Sequence, residues 1–221
     1  MLTLPSAAPR ATPAVLLVAA MLGLPCTAHA QSASVGVLGG LNASTFDGFS
    51  PPGSVVLRRE VAALVGVSVE LPPRGRVTLQ PEVVYARKGA GVEGQAVAGA
   101  APSVFLTDWL EYLEVPILFR LGANGGRRGL YGVVGPAVAW LVRAHERWNI
   151  PGVLTQDQDI KDQLTGVDVA VVAGGGVSVG RFDVEGRVDI GLRDLKPIDD
   201  RGPGDSALTN HSVAVLARLR F

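Results

Sequence analysis

Charged side chains recur at every second position in several stretches, and this spacing limits the chemistry that they can do. In one stretch, Asp183, Glu185, Arg187 and Asp189 alternate with apolar residues and glycine. Because alternate residues of a β-strand share a face, these charges would line one side of a strand and pair with charges of other strands. The pattern predicts a polar network inside a barrel, to which we assign Glu82, Glu114, Arg120, Asp183, Glu185, Arg187, Asp189, Arg218 and Arg220.

The histidines do not form a recognisable catalytic group. His211 stands beside Ser212, and neighbouring residues of a strand point to opposite faces, so the two cannot act as base and nucleophile. His145 and Glu146 have the same difficulty unless the chain turns sharply there. We therefore predict no catalytic residue and expect that the chain is not an enzyme.

Two further stretches could hold a ligand, but their details argue against it. Asp157, Asp159 and Asp162 lie close together, yet the stretch lacks the glycine and the closing glutamate of an EF-hand loop, and Lys161 stands among the acids. This favours a solvated loop, with weak divalent-cation binding left open. Gly174–Gly176 is not followed by a helix that could hold a phosphate. We predict no metal site and no cofactor.

The N-terminus has the features of an export signal. The apolar run Ala14–Leu24 follows Arg10 and precedes Ala28–Ala30, which matches a small-residue cleavage pattern. A membrane-spanning helix would need about 20 apolar residues, so an anchor is disfavoured. We predict a cleaved signal peptide over residues 1–30 and a single domain over residues 31–221.

Composition excludes several classes of protein. The chain has 221 residues, of which 48% are hydrophobic and 18% charged. Its one cysteine, Cys26, lies in the predicted signal peptide, so the remaining chain has neither a disulfide nor a thiolate metal site. Removing residues 1–30 takes away Arg10 and no acid, which changes the formal charge from zero to about −1. This balance does not suit a nucleic-acid-binding surface.

The remaining chain consists of strand-like runs separated by connections that alternate between long and short. This order is typical of a barrel in the outer membrane, where short turns face the periplasm and long loops face outward. We predict an all-β fold, an eight-stranded antiparallel up-and-down transmembrane β-barrel with short periplasmic turns and four long extracellular loops. Its strands are expected at about 34–44, 60–71, 76–87, 109–121, 129–142, 166–179, 181–193 and 210–221.

The large rings favour lipid on the apolar side of the strands. They cluster near the two ends of the predicted strands, as in the aromatic girdles of membrane barrels. Tyr131 and Trp140 are nine residues apart, so placing both outside requires a bulge near Gly135–Pro136. The predicted girdles consist of Tyr85, Trp109 and Trp140 near the loops, together with Tyr112, and of Phe119, Tyr131 and Phe182 near the turns.

The last strand ends on an aromatic residue. Val213, Val215, Ala217, Leu219 and Phe221 alternate with more polar positions up to the final residue. We expect this strand to pair with the first strand and Phe221 to lie at the periplasmic interface, where it would serve as an assembly signal.

Four stretches resemble the PorT-like family of outer-membrane β-barrel domains, which is grouped with small porin-type barrels. They are Tyr112–Leu118 (YLEVPIL), Tyr131–Pro136 (YGVVGP), the run from Gly174 to Leu192, and Phe221. The resemblance implies a small antiparallel barrel in the outer membrane of a diderm bacterium. It implies no shared catalytic mechanism, and it links some members to secretion.

Three functional hypotheses follow. The first is a non-enzymatic outer-membrane barrel with a polar-plugged lumen and a recognition or structural role in its long loops. Its expected partners are outer-membrane lipids, lipopolysaccharide and the barrel assembly machinery, whereas nucleic acid is excluded and the partner of the loops is not identified. The second is a narrow or gated small-solute channel or a secretion-associated component. The third is a soluble periplasmic barrel whose apolar face encloses a lipid.

Overall fold

The computed structural model describes residues 33–47, 56–94, 104–150, 154–194 and 209–221, so the predicted signal peptide lies outside the described residues. Nearly every described residue belongs to a strand, as the alternating pattern predicts. Single 3-10 turns occupy Ala123–Gly126 and Lys161–Gln163. The strands are β1 (Ser34–Asp47), β2 (Val56–Glu70), β3 (Val77–Gly94), β4 (Val104–Gly122), β5 (Gly129–Ile150), β6 (Leu154–Asp159), β7 (Val167–Val179), β8 (Phe182–Gly191) and β9 (Thr209–Arg220).

Eight of these strands close into an antiparallel barrel, which confirms the predicted fold class. Each of the eight pairs with its neighbours in chain order, β7 follows β5, and β9 closes the barrel against β1. At the last residue, the backbone nitrogen of Phe221 donates a hydrogen bond to the carbonyl oxygen of Val35 over 2.8 Å. Closure leaves no open sheet edge among these eight strands.

The ninth strand, β6, was not predicted. Residues 143–165 were expected to form a loop, but β5 continues to Ile150 and β6 pairs back onto it from His145 to Ile150. Most residues of this hairpin are polar, and its few apolar residues, Trp148, Ile150 and Leu154, do not form the sustained alternation that would indicate a strand. Backbone hydrogen bonds between the two strands hold it instead.

The barrel has two unlike ends. At the short-turn end, β2 and β3, β4 and β5, and β7 and β8 are joined through residues 71–76, 123–128 and 180–181. Gly75 and Gly180 adopt positive φ angles of 66° and 61° there, a conformation that glycine accepts without strain. At the opposite end, which we call the long-strand end, β3, β4 and β5 extend beyond their predicted limits and remain paired with one another.

The two faces of each strand differ sharply. On β8, for example, Val184 is 53% exposed whereas the adjacent Glu185 is 1% exposed. The apolar face therefore points outward and the charged face points into the lumen. A soluble barrel that encloses a lipid needs the opposite arrangement, so that hypothesis is wrong on the placement of the faces. Among the described residues, no helix has the length and hydropathy to cross a membrane.

Candidate functional site

The lumen near the short-turn end is filled by a network of charged side chains, which we call the ion network. Alternation along the strands points all of its members inward, and each is buried. Four arginines meet four carboxylates, so the network is neutral in formal charge. Its members are Glu70, Glu82, Arg120, Asp183, Glu185, Arg187, Arg218 and Arg220.

Arg218 of β9 contacts all four carboxylates of the ion network, with Glu70 the most distant at 4.0 Å. Its guanidinium lies 2.8 Å from Glu82, 3.3 Å from Asp183 and 3.7 Å from Glu185. It also donates a hydrogen bond to the side-chain oxygen of Gln80 over 3.2 Å. The side chains of Arg218, Glu82 and Asp183 have no solvent exposure, so each charge depends on these contacts for its stabilisation.

Two further arginines tie distant strands to the same carboxylates. Arg120 of β4 lies 2.8 Å from Asp183 of β8 and 3.1 Å from Glu70 of β2. Arg187 of β8 donates two hydrogen bonds to Glu82 of β3, over 2.6 and 2.8 Å, and also contacts Glu185. Paired donors of this kind fix both the geometry and the partner.

Arg220 anchors the network at the turns. Its guanidinium lies 3.2 Å from Asp183 and 3.5 Å from Glu70. It also donates to the carbonyl oxygen of Gly180 over 2.8 Å and to the hydroxyl oxygen of Ser178. The short β7–β8 turn is thereby connected to the interior.

A second and smaller polar group lies nearer the long-strand end. Lys88 of β3 is 2.6 Å from Glu114 of β4 and 3.6 Å from Asp189 of β8. The Ser212 hydroxyl donates to Asp189 over 2.9 Å. Asp168 is also buried at this end of the lumen, where it accepts the backbone N–H of Val169. One lysine thus accompanies three carboxylates.

Apolar side chains fill much of the remaining interior. One cluster, formed by residues including Leu38, Val84 and Leu216, lies on the β1, β2, β3 and β9 wall. Another closes the long-strand end, where Ile160 packs with Leu110 and Leu141. Between the two polar groups, a lumen cavity lined by Glu114, Arg187 and Asp189 has a volume of about 20 Å³. This is room for roughly one water molecule.

The structure corrects the position of Tyr131. It was predicted to lie in the outer girdle, but it is 5% exposed and points into the lumen, where its hydroxyl donates to Glu185 over 2.9 Å. The Arg120 guanidinium lies 3.5 Å from the centre of its ring. The predicted bulge near Gly135–Pro136 is absent, and the register of β4 and β5 shifts only at Glu111 and Tyr112. Tyr131 and Trp140 therefore fall on opposite faces.

The other aromatic residues of the predicted girdles also differ in the face that they occupy, since one points inward and the rest point outward. Tyr112 also points inward and is 1% exposed. The remaining predicted girdle residues lie on the outward-facing register, together with the exposed C-terminal Phe221. They are Tyr85, Trp109 and Trp140 toward the long-strand end and Phe119 and Phe182 toward the short-turn end.

Sequence reasoning missed several members of the polar interior, including Asp168. Glu70 follows Ser68 by two residues on the inward register, and this spacing could have revealed it. Lys88 continues the inward series of Ala86, but the predicted strand stopped one residue before it. Gln80 was recognised only as a polar position of its strand, although it contacts two arginines.

The residues that suggested chemistry are separated in the structure. Ser212 faces the lumen, whereas His211 lies on the outer register and contacts Thr209 over 3.2 Å. Asp157 pairs with Arg147 on the β5–β6 hairpin over 2.6 Å, and this hydrogen bond lowers the pKa of the Asp157 carboxyl. Within the described ranges, no group of three or more His, Cys, Asp or Glu residues is arranged to hold a metal ion.

Comparison with known proteins gives one family match and several structural likenesses. A family model described as an outer membrane protein beta-barrel domain matches residues 29–196, which include β1 to β8. No curated protein matches the chain significantly.

The structural likenesses are at low sequence identity. Ail, the attachment invasion locus protein of Yersinia pestis, solved with the heparin analogue sucrose octasulfate, is 11% identical over 86% of this chain and 100% of that chain, with a TM-score of 0.47. Neisserial surface protein A is 9% identical over 86% of this chain and 97% of that chain, with a TM-score of 0.44. The N-terminal β-barrel domain of Pseudomonas aeruginosa OprF is 12% identical over 85% and 97%, with a TM-score of 0.40.

Proposed function

Because the chain belongs to the outer membrane protein beta-barrel domain family, we propose that it is a non-enzymatic barrel of the outer membrane whose lumen is closed by the ion network. The observation that carries this proposal is the complete burial of Arg120, Arg218 and their carboxylate partners across the short-turn half of the lumen. An eight-stranded barrel has an interior that side chains can fill, and here they fill it with ion pairs.

A filled lumen leaves recognition or a structural role to the outside of the barrel. We propose that the long-strand end faces the cell exterior and the short-turn end faces the periplasm, since short turns occupy the periplasmic side of such barrels. The exported chain would begin near residue 31, after removal of the predicted signal peptide. The extended strands β3, β4 and β5, with the β5–β6 hairpin, would then present a polar surface to the outside.

The same proposal includes membership of the PorT-like group and two partners, the barrel assembly machinery and the lipids of the outer membrane. The motifs Tyr112–Leu118 and Tyr131–Pro136 support a PorT-like barrel within the wider family. The exposed side chain of Phe221, at the end of the strand that closes the barrel, supports recognition by the barrel assembly machinery. The outward apolar face supports contact with membrane lipids, including lipopolysaccharide in the outer leaflet.

Single-channel conductance in a planar bilayer tests whether the lumen is closed. We expect no steady openings from the intact barrel, because the charged side chains that cross its interior are held by several partners each. Steady ohmic openings from the intact protein would overturn the proposal and would favour the narrow-channel hypothesis.

A matched pair of variants sharpens this test. The double variant R120A/R218A removes two guanidiniums from the ion network and should produce openings if it inserts. The double variant R76A/R128A removes the same charge from exposed positions at the turns and should stay silent. Insertion of each protein is checked by flotation with liposomes and by the difference in gel mobility between unheated and heated samples.

A further inference from the structure

The outer wall of β3, β4 and β5 carries an apolar band of five rows of side chains. In each row, one outward residue of β3 lies beside one of β4, which lies beside one of β5. The band begins with the row of Val77 and Leu121 and ends with the row of Tyr85, Leu113 and Trp140. Successive rows are two residues apart and rise by about 5 Å along the barrel axis at the usual strand tilt, so the first and last of the five rows are about 20 Å apart. With the width of the side chains in those two rows, the band approaches the height of about 25 Å that the lipid-facing band of a membrane barrel has.

The first row beyond this band is charged. It consists of Arg87 on β3, Glu111 on β4 and Arg143 on β5, which are direct cross-strand neighbours. Its place next to Tyr85 and Trp140 puts it at the boundary between acyl chains and headgroups, on the long-strand side. Phosphate groups of membrane lipids lie at that depth.

The two guanidiniums of this row have donors to spare. Arg87 and Arg143 lie 3.6 and 3.8 Å from Glu111, and their side chains are 48% and 68% exposed. The Glu111 side chain is only 13% exposed and accepts a hydrogen bond of 2.5 Å from the Tyr85 hydroxyl. Glu111 therefore lies between two arginines whose side chains remain about half exposed or more.

The next row adds an aromatic platform. Trp109 lies above Glu111 on the same face, and the guanidinium carbons of Arg87 and Arg147 are 5.2 and 4.7 Å from the centre of its ring. Arg147 donates to both carboxylate oxygens of Asp157, over 2.6 and 3.2 Å, so its charge is already matched. Tryptophan is enriched at membrane interfaces, and stacked guanidiniums keep their edges available for anions.

Two further acids lie near this row, on β6. Asp157 is occupied by Arg147, and Asp159 lies across from His145, one row beyond Arg87 and Arg143. The described residues on the opposite side of the barrel place Thr45 and His211 at the corresponding boundary, with Arg59 close to them. Within the part of the barrel that the structure describes, the β3–β5 wall thus carries two outward guanidiniums, those of Arg87 and Arg143, in one row at this boundary.

We propose that Arg87 and Arg143 form a binding site for the phosphate groups of lipid A, the membrane anchor of lipopolysaccharide in the outer leaflet. The guanidinium forks match phosphate oxygens, the apolar band below them contacts the acyl chains, and Trp109 lies at the level of the sugar headgroup. This site rests on the orientation in the proposed function, in which the long-strand end faces the cell exterior. It does not depend on whether the lumen is closed.

Binding of lipid A to the purified barrel in detergent tests this site. Bisphosphorylated lipid A, fully dephosphorylated lipid A and phosphatidylglycerol are compared by titration against the native protein and the double variant R87Q/R143Q. A basic residue near a membrane surface contributes about 1 kcal/mol, so we expect the variant to bind bisphosphorylated lipid A about thirtyfold more weakly. We expect the native barrel to prefer bisphosphorylated lipid A over both other lipids.

The matched control is R74Q/R76Q, which removes the same charge from exposed positions at the short-turn end. It should bind bisphosphorylated lipid A within about twofold of the native protein, because electrostatic contacts act only over about a Debye length. Equal affinity for the dephosphorylated lipid, equal affinity for phosphatidylglycerol, or an unchanged R87Q/R143Q variant would each overturn the proposal. Unheated gel mobility confirms that every variant is folded, and closed-channel recordings of R87Q/R143Q keep this test separate from that of the proposed function.

Discussion

The lumen near the short turns holds four arginines against four carboxylates, whereas nearer the long-strand end one lysine accompanies three carboxylates among apolar side chains. In the first region, Arg187 bonds to Glu82, 105 residues away, and Arg218 bonds to the same carboxylate, 136 residues away. In the apolar cluster at the long-strand end, the contacts are mostly between β3, β4 and β5, which are adjacent in the barrel.

This difference shows two ways of stabilising one barrel. The ion network can form only when β2, β3, β4, β8 and β9 are all in place, because its partners face each other across the lumen. The apolar cluster can form between neighbouring strands before the barrel closes. We therefore expect the ion network to stabilise the closed barrel. We expect substitutions at the long-strand end to have mainly local effects.

The largest expected effect is that of R218M. It leaves Glu82 and Asp183 without an arginine that contacts both, and both carboxylates are fully buried. Loss of one partner from a buried ion pair costs about 3–5 kcal/mol, and we expect a loss of that size in the free energy of unfolding. Urea titration of the barrel in micelles measures it.

The control is R181M, in the exposed β7–β8 turn. It should change the free energy of unfolding by less than about 0.5 kcal/mol, as surface substitutions usually do. Similar losses for R218M and R181M would contradict the role of the ion network in closure.

A smaller effect is expected from K88M. It removes the cation beside Glu114 and Asp189, but these side chains are 10% and 15% exposed, so water can reach them. We expect a loss of about 1–3 kcal/mol in the same urea titration, the usual range for a buried polar group that has lost its partner.

The double variant K88M/E114Q tests whether the pair itself is responsible. It should recover part of the lost stability, because a neutral amide replaces the orphaned carboxylate. A loss from K88M as large as that from R218M would show that the two halves of the lumen are equally dependent on charge pairing.

Next in size is G176A, which probes the space around Tyr131. A Cβ atom at Gly176 would lie 2.7 Å from the Tyr131 hydroxyl and 2.4 Å from the carbonyl oxygen of Val184. We expect a loss of about 1–3 kcal/mol from overpacking. G186A, on the neighbouring strand, meets no atom within 4 Å and should be close to neutral in the same titration.

The smallest effect is expected from I160A at the long-strand end. Ile160 packs on Leu110 and Leu141, and its backbone N–H donates to the carbonyl oxygen of Ala144 over 3.1 Å. Its truncation should loosen residues 160–164 locally, raising amide exchange there about tenfold with little change in global stability. L192A, exposed outward near the same end, should leave this exchange unchanged. A global loss like that of R218M would contradict a local role.

The faces of the strands followed from the sequence because side chains alternate with a period of two. Asp183, Glu185 and Arg187 had to share one face, and Val184 had to take the other. The pattern failed where it was interrupted. Lys88 lay beyond the predicted end of its strand, and Tyr131 was assigned outward through a bulge that the barrel places at another position.

The number and order of the eight barrel strands, and the direction of most alternating side chains, were contained in local patterns of residue type. The choice of partners was not, since Glu82 meets Arg187 and Arg218 only because closure and stagger bring β3, β8 and β9 to one level of the lumen. The β5–β6 hairpin also depended on the fold, because cross-strand backbone pairing and the Arg147–Asp157 ion pair hold strands whose side chains carry no clear apolar period. Alternation is a property of neighbours along the chain, whereas ion pairing across a lumen is a property of distances that only the closed barrel defines.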